Sequence, residues 1–224
     1  PRMSADFDPV VGIDLGTTNS LIARFVKGQI EIFKNPSGFK DSLPSVVAYR
    51  KDRMIVGEKA REYQEKDPAN VVGRFKRKMG TAEGFKIKSL GQTRTPIDLS
   101  AEVLKELKGF VHTGQSVDAA VITIPASFDT IQCNATKQAA EIAGFKQVVL
   151  LQEPIAASLA YANKRKEKDM PEGKWLVYDL GGGTFDVALV RTEHGELKIL
   201  DHEGDNFLGG VDFDSSIVEG LIIP

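Results

Sequence analysis

Two stretches of the chain share an order of apolar and polar positions that predicts three consecutive strands. The first stretch has an apolar run at 10–13 and alternating segments at 21–26 and 29–33. The second has the same three segments in the same order, at 175–178, 185–190 and 196–200. Alternation with a period of two is typical of strands, and glycine-containing turns between strands indicate hairpins. We therefore expect one antiparallel meander near the start of the sequence and another near its end.

The region between the meanders begins with a polar segment. Residues 34–99 carry many glycines and charges and show only short helical or strand patterns, so we expect an inserted small subdomain there. Apolar residues then recur at spacings of three and four, at Val103, Leu104, Leu107, Phe110 and Val111. This spacing predicts a helix, and Ser100 is a suitable N-cap for it.

Strands and helices alternate after this helix. A buried strand is expected at 119–124, ended by Pro125, and another at 147–151. Between them, Asp129 or Thr130 can cap a helix that Gly144 stops. Its inner face is predicted to hold Ile131, Ala135, Ala139 and Ile142. The pair Glu153-Pro154 opens a further helix. Alternation after an initial meander favours an α/β fold with a mixed sheet.

Composition narrows the classes of function. With 224 residues and 42% apolar composition, the chain can bury a real core. The 29 basic and 31 acidic residues give a net charge of -2, so we expect neither nucleic acid nor membrane as a partner. The single cysteine, Cys133, excludes an intrachain disulfide framework. Residues 1–9 lack the apolar stretch of a signal peptide, and a cytoplasmic location is expected.

The end of the sequence carries an apolar pattern without a continuation. Ile217, Leu221 and Ile223 belong to it, and the pattern breaks off at Pro224. Nothing follows that could bury these side chains. We expect the chain to be truncated there.

The candidate chemistry lies in a motif that occurs once in each meander. Residues 13–18 (IDLGTT) are matched at a constant offset by residues 178–183 (YDLGGG). Each copy places a carboxylate, Asp14 or Asp179, at a strand end before a tight turn. Turn amides and hydroxyls can surround phosphate oxygens, and glycine lets the backbone approach closely. Carboxylates beside a polyphosphate suit Mg²⁺, most naturally through its retained waters.

Each motif alone has a simpler interpretation. A run of glycines between strands is more often a hairpin turn or a bulge than a phosphate site, and an aspartate at a strand end is commonly a turn residue. Both motifs in the same order, with the same preceding aspartate, are far less easily accidental. The repeat therefore predicts two lobes that hold one polyphosphate from both sides.

These segments resemble the DnaK family of seventy-kilodalton heat-shock chaperones. Residues 11–20 (VGIDLGTTNS) and 179–186 (DLGGGTFD) look like the first two nucleotide-binding signatures of that family. Three further segments match in the family's order: 121–128 (VITIPASF), 152–157 (QEPIAA) and 208–214 (LGGVDFD). The resemblance covers nearly the whole chain, from about residue 9 to residue 223.

The resemblance implies a ligand, ATP or ADP with Mg²⁺, and residues that bind it. Asp14 and Asp179 would hold Mg²⁺ through water. The phosphates would be bound by glycines and threonines of the turns, namely Gly16, Thr17, Thr18, Gly181, Gly182, Gly183, Thr184, Gly209 and Gly210.

It also implies catalytic residues. Lys76 would stabilise charge on the terminal phosphate, and Asp186, with Thr184, would help to place the attacking water. Glu153 would link the magnesium shell to lobe movement, and Pro125 would act as a switch toward a distant domain. Simpler explanations stand beside these roles. Residues 74–78 could be a solvated basic face, Glu153 could favour a helix terminus, and Pro125 could merely end a strand.

The fold and partners are likewise implied by the resemblance. The fold would be an actin-like (ribonuclease H-like) ATPase with a mixed five-stranded sheet flanked by helices. Lobe I would span 1–172 with its subdomain at 34–99, and 173–224 would begin lobe II. The parent would be a monomeric ATPase that binds unfolded peptides through a C-terminal domain and works with a J-domain cochaperone and a nucleotide-exchange factor. Because much of lobe II would be missing, we expect weak nucleotide binding by these residues alone.

Two other classes of protein are alternatives to the DnaK family, and the sequence departs from the family pattern at some positions. Bacterial actin-like filament proteins also carry an early Asp-Leu-Gly-Thr motif, and sugar or acid kinases share the superfamily. Ser127 stands where many family members have tyrosine, and Cys133 replaces a frequent arginine. Residues 75–80 are closer to specialised bacterial paralogues. These departures leave client range and cochaperone choice open, and they do not touch the phosphate chemistry.

Overall fold

The computed structural model describes residues 10–51, 53–112, 114, 116–165 and 172–223. The predictions about residues 1–9 and Pro224 lie outside these residues. Contacts divide the chain into two compact units. The first comprises the residues up to Ile122 together with Thr130–Leu150, and the second comprises Thr123–Asp129 and the residues from Leu151 onward. The lobe boundary expected at 172 stays a prediction.

The first unit begins with the expected meander. Its strands are β1 (Val10–Asp14), β2 (Asn19–Val26) and β3 (Gln29–Ile32). The pairs β1–β2 and β2–β3 are both antiparallel. Alternate residues of β1 and β2, among them Val11, Ile13 and Ile22, are almost completely buried, which is why the period-two pattern was visible in the sequence.

The polar segment that follows forms short elements. They are β4 (Leu43–Pro44), β5 (Val46–Arg50), β6 (Arg53–Val56), α1 (Glu58–Tyr63), β7 (Val71–Gly73), β8 (Phe85–Ile87) and β9 (Gln92–Arg94). Single 3-10 turns lie at Pro68–Asn70 and Phe75–Lys78. β6, β5 and β7 form one small sheet, β8 and β9 form another, and β4 pairs with β2. Because β4 pairs with β2, this polar segment is joined to the main sheet at β4.

The first long helix, α2 (Pro96–Lys108), begins earlier than predicted. Its N-cap is Thr95, whose hydroxyl accepts a hydrogen bond of 3.1 Å from the Asp98 amide, while the Asp98 carboxylate accepts one of 2.9 Å from the Thr95 amide. Pro96 occupies the first turn, where its missing N–H costs nothing. The prediction that Ser100 caps this helix was therefore wrong. Ser100 lies inside the helix, fully buried, and its hydroxyl has no hydrogen-bond partner.

Because Thr95 and not Ser100 caps α2, we expect substitutions of these two residues to have different effects on stability. Thr95→Ala removes a capping box, so we expect the free energy of unfolding to fall by about 1 kcal/mol. Ser100→Ala removes a buried hydroxyl that has no partner and improves helix propensity, so we expect no loss of stability. Urea denaturation followed by circular dichroism measures both. A larger loss for Ser100→Ala than for Thr95→Ala would contradict the assignment.

The remaining elements of this unit complete the main sheet. They are β10 (Ala119–Ile124), α3 (Thr130–Ile142) and β11 (Gln147–Gln152), the two strands running on to the second unit. The strand order is β11-β10-β1-β2-β3, with β4 attached to β2. β10 is parallel to β1, and β2 is antiparallel to it. The mixed five-stranded sheet predicted from the resemblance is confirmed along this path, with β4 as an addition.

Helix α3 buries a face of small residues. Ala135, Thr136, Ala139 and Ala140 are buried against the neighbouring elements. Ile131 and Ile142, which the apolar spacing assigned to the inner face, are 64% and 45% exposed. That part of the prediction was wrong, because α2 packs closely on α3 and alanine permits that approach. The predicted stop at Gly144 is confirmed: its φ is +88°, and the Gly144 and Phe145 amides donate to the carbonyls of Glu141 and Ala140.

The second unit holds the second meander. Its elements are α4 (Glu153–Arg165), β12 (Gly173–Leu180), β13 (Phe185–Glu193), β14 (Glu196–Asp205) and α5 (Gly210–Ile217). A π-helical turn at Val218–Ile222 follows α5. The three strands are antiparallel in chain order, as predicted, and α4 contacts all of them. Among the described residues, no helix combines the length and apolarity needed to cross a membrane.

Candidate functional site

The turn between β1 and β2 brings four predicted site residues together: Asp14, Gly16, Thr17 and Thr18. Asp14 is the last residue of β1 and lies opposite Leu21 of β2. The turn is very tight at Gly16. A Cβ atom placed there would lie 2.1 Å from the carbonyl oxygen of Asn19. The glycine is therefore required by a close backbone approach, as expected from the motif.

The hydroxyl groups of this turn are buried and have no partner among the residues that the structure describes. Thr17 is only 7% exposed, and within those residues neither its Oγ1 nor the Oγ1 of Thr18 has a hydrogen-bond partner. A buried hydroxyl without a partner costs free energy, and such groups in native structures call for an explanation such as a ligand. Two of them side by side in a glycine turn can donate to phosphate oxygens.

Two serines hold this turn, and the sequence analysis singled out neither for a role. Ser20 Oγ accepts a hydrogen bond of 3.1 Å from the Gly16 amide, and Ser45 Oγ donates one of 2.8 Å to the Gly16 carbonyl oxygen. The two hydroxyl oxygens are 2.9 Å apart, and both residues are 1% exposed. The Ser45 amide also donates to the Thr18 carbonyl oxygen at 2.8 Å. The Gly16 amide is therefore engaged within the protein, and the phosphate-binding role predicted for Gly16 stays a prediction.

The second glycine turn, Gly181 to Thr184, joins β12 to β13. The Gly181 amide donates to the Thr184 carbonyl oxygen at 2.9 Å, which closes the turn. The start of α5 packs directly on it, with the amides of Gly210 and Val211 donating at 3.0 Å to the carbonyls of Gly181 and Gly182.

Gly209 is required for this packing. A Cβ atom on Gly209 would lie 2.4 Å from the Gly183 nitrogen, whereas one on Gly210 would meet nothing closer than 3.9 Å. The second unit therefore brings together five predicted phosphate-binding glycines: Gly181, Gly182, Gly183, Gly209 and Gly210.

Two aspartates of the second meander lie beside this turn. Asp179 of β12 pairs with Asp186 of β13, so both side chains lie on the same face of the sheet. Asp186 is 4% exposed and packs over Gly204, where a Cβ atom would lie 2.8 Å from Asp186 Oδ1. Asp179 and Asp186, both predicted site residues, therefore lie together on one face of the second meander.

Lys76 has a different environment from the neighbouring basic residues. Arg74, at the N-cap of the 3-10 turn, has a left-handed φ of +58°, and the chain then turns so that Phe75 and Lys76 are buried. Lys76 is 5% exposed, while Lys78 is more exposed and pairs with Glu83. A solvated basic face therefore does not describe Lys76. Burying an ammonium group costs free energy. A lysine at this buried position is therefore consistent with a functional role for its charge.

The remaining predicted residues lie in the second unit. Glu153 is the first residue of α4, where its charge is favourable to the helix terminus, and Pro125 is buried at the end of β10. Ser127, one of the departures from the family pattern, donates a hydrogen bond of 3.1 Å to Asn206. The roles assigned to Glu153 and Pro125 stay predictions.

Two cavities in the first unit contain none of the predicted residues. One of about 400 Å³ is lined by Tyr49, Arg94 and Glu102, among others, and burial raises the pKa of the Tyr49 hydroxyl. The other, of about 230 Å³, is lined in part by Glu106, whose pKa is also raised by burial. Among the described residues, no group of three or more histidine, cysteine, aspartate or glutamate side chains could hold a metal ion. A metal here would thus depend on waters and on a ligand for most of its coordination.

Comparison with known proteins agrees with the motifs. The family model described as Hsp70 protein matches residues 10–223. A protein named chaperone protein DnaK from Mycoplasma mobile is 43% identical over 217 residues, which is 96% of this chain and 35% of that protein. The proteins of that name from Mycoplasmoides gallisepticum and Mycoplasmopsis pulmonis are each 42% identical, over 98% and 95% of this chain. The chain spans 37% and 35% of their lengths, so it corresponds to about a third of these relatives.

Proposed function

Because this chain belongs to the Hsp70 family, we propose that it forms the first part of a nucleotide-binding domain that binds and hydrolyses ATP. The observation that carries this proposal is the pair of buried, partnerless hydroxyls at Thr17 and Thr18. They lie in a glycine turn directly after a strand-end carboxylate, as a phosphate site requires. The resemblance to the family's first nucleotide-binding signature adds ATP or ADP as the ligand.

The phosphates are bound from two turns in this proposal. The first turn contributes the Thr17 and Thr18 hydroxyls, with Gly16 allowing the tight backbone. The second contributes Gly181, Gly182, Gly183 and Thr184, supported by Gly209 and Gly210 at the start of α5. That the two turns converge on one triphosphate is part of the proposal.

Mg²⁺ fits the donor set. The carboxylate oxygens of Asp14 and Asp179 are hard ligands of the kind that Mg²⁺ prefers. Asp14 and Asp179 would hold the ion through water. When bound, the ion would neutralise charge on the phosphate oxygens.

Hydrolysis then depends on residues that position water and charge. Asp186 and Thr184 would orient the attacking water, and the Lys76 ammonium would stabilise charge developing on the terminal phosphate. Glu153, in the first turn of α4, would link the magnesium shell to lobe movement.

The activity of the whole protein is proposed from its relatives. Three of them are named chaperone protein DnaK, and none of these names describes a filament protein or a sugar kinase. We propose a parent in the cytoplasm that couples ATP turnover to the binding and release of unfolded peptides. It would act with a J-domain cochaperone and a nucleotide-exchange factor.

The experiment replaces each partnerless hydroxyl by a methyl group. In the full-length protein, Thr17→Val and Thr18→Val remove no hydrogen bond seen among the described residues, so we expect thermal stability to be unchanged or raised. If the hydroxyls bind phosphate, each variant should bind ATP about tenfold more weakly by calorimetry.

Thr136→Val is the matched control, because its hydroxyl donates to the Gln132 carbonyl oxygen within α3. This variant should keep ATP affinity. Wild-type affinity in both turn variants would refute the phosphate-binding role.

A further inference from the structure

The hydroxyl hydrogens around Gly16 can be assigned from the donor and acceptor inventory. Ser45 has one hydroxyl hydrogen, and it is donated to the Gly16 carbonyl oxygen at 2.8 Å. The 2.9 Å contact between the serine oxygens must then use the hydrogen of Ser20, with Ser45 as acceptor. Ser20 in turn accepts from the Gly16 amide at 3.1 Å. The three hydrogen bonds therefore form a closed ring that begins and ends at Gly16.

A closed ring fixes the turn more firmly than separate hydrogen bonds. Each hydroxyl both donates and accepts, so the bonds polarise one another. Ser20 and Ser45 are both 1% exposed, so water does not compete for these groups. Both backbone polar groups of Gly16 are satisfied, and the Ser45 amide fixes the Thr18 carbonyl as well. Among the buried side-chain oxygens of the turn, the two threonine hydroxyls have no hydrogen-bond partner in the described part of the chain.

Ser45 comes from outside the motif. It lies between β4 and β5, at the beginning of the polar segment predicted as a subdomain, whereas Gly16 and Ser20 belong to the β1–β2 hairpin. Through Ser45, that segment is hydrogen-bonded directly to the Gly16 carbonyl oxygen and, by way of Ser20, to the Gly16 amide.

We propose that Ser45, with Ser20, is a positioning residue that pre-organises the Thr17 and Thr18 hydroxyls for phosphate. This inference rests on the proposed nucleotide site and adds to it a residue from the inserted segment. Without the Ser45 hydroxyl, the Gly16 carbonyl oxygen loses its donor and the Ser20 hydroxyl loses its acceptor. The turn can then adopt other arrangements, and ordering it costs part of the binding free energy of any phosphate ligand.

The test measures ADP and adenosine binding to the full-length protein by calorimetry. Adenosine lacks phosphates, so a role confined to the turn affects ADP alone. We expect Ser45→Ala and Ser20→Ala each to weaken ADP binding about five- to tenfold and to leave adenosine binding unchanged. Since each breaks the same ring, the double variant should lose little more than either single variant. Ser45→Thr, which keeps the hydroxyl, should recover most of the ADP affinity.

Ser100→Ala is the matched control, because it removes another fully buried serine hydroxyl from the same unit, one without a partner. It should bind both ligands as the wild type does. Equal losses of ADP and adenosine, additive losses in the double variant, or no loss would overturn the inference while leaving the proposed function standing. A wild-type protein that binds neither ligand would instead overturn the proposed function and the inference with it. If Ser45→Ala does not fold, the comparison of Ser20→Ala with Ser45→Thr decides the same question.

Discussion

Lys76→Ala in the full-length protein is expected to lower the single-turnover rate of ATP hydrolysis by about a hundredfold or more, with little change in ATP affinity. A fixed charge aimed at the developing negative charge of a transition state typically contributes about 10²–10³ in rate. Interactions that strengthen only in the transition state change the rate and not ground-state binding. The burial of Lys76, at 5% exposed, keeps water from screening such a charge.

Two further variants separate the charge of Lys76 from its packing. Lys76→Met retains an apolar stem of similar length, so it should remain as stable as the wild type and still lose hydrolysis. Lys78, two residues after Lys76, has an exposed amine that pairs with Glu83, and the Lys78→Ala variant should hydrolyse ATP normally. Rapid mixing with labelled ATP and excess enzyme gives the rate. Normal hydrolysis by both Lys76 variants would show that the lysine has no catalytic role.

Gly16→Ala is expected to destabilise the first unit by about 3 kcal/mol and to abolish measurable nucleotide binding. The new Cβ atom would lie 2.1 Å from the Asn19 carbonyl oxygen and 3.2 Å from its carbon, so the backbone must move. Overpacking of this kind costs about 1–3 kcal/mol and more where only backbone can yield. Movement here also breaks the ring with Ser20 and Ser45, which adds to the loss.

Gly12→Ala provides the comparison, because Gly12 lies in β1 with no atom within 4 Å of an added Cβ. It should be neutral or slightly stabilising, since alanine restricts the unfolded chain more than glycine does. Urea denaturation measures the free energy of unfolding, and calorimetry measures ATP binding. A Gly16→Ala protein as stable as Gly12→Ala would be incompatible with the turn described for β1–β2.

Family membership and the main elements were readable from the sequence alone. Period-two alternation predicted both meanders because alternate residues are buried in β1, in the first half of β2 and in β13, although β3 is exposed throughout. Glycine and aspartate residues indicated where the turns lie, since few residue types tolerate the backbone conformations of tight turns. Gly144 illustrates this, because its positive φ ends α3 where the sequence suggested. These features depend on residues close together in the chain, and local chemistry determines them.

Other features depended on contacts between distant residues. Ser100 and Thr95 are both suitable N-caps, and the capping box with Asp98 and the burial of Ser100 decided between them. The apolar residues Ile131 and Ile142 are exposed because α2 packs on the alanine face of α3. Nothing in the sequence near Ser45 indicated that it closes a ring with Ser20 and Gly16.

The sequence alone therefore identified the motif residues and their turns. The tertiary structure decided how far these residues are buried and which groups they hydrogen-bond. The reason is that a turn's shape follows from its own residues, whereas burial and hydrogen-bond partners depend on which distant segments fold against it.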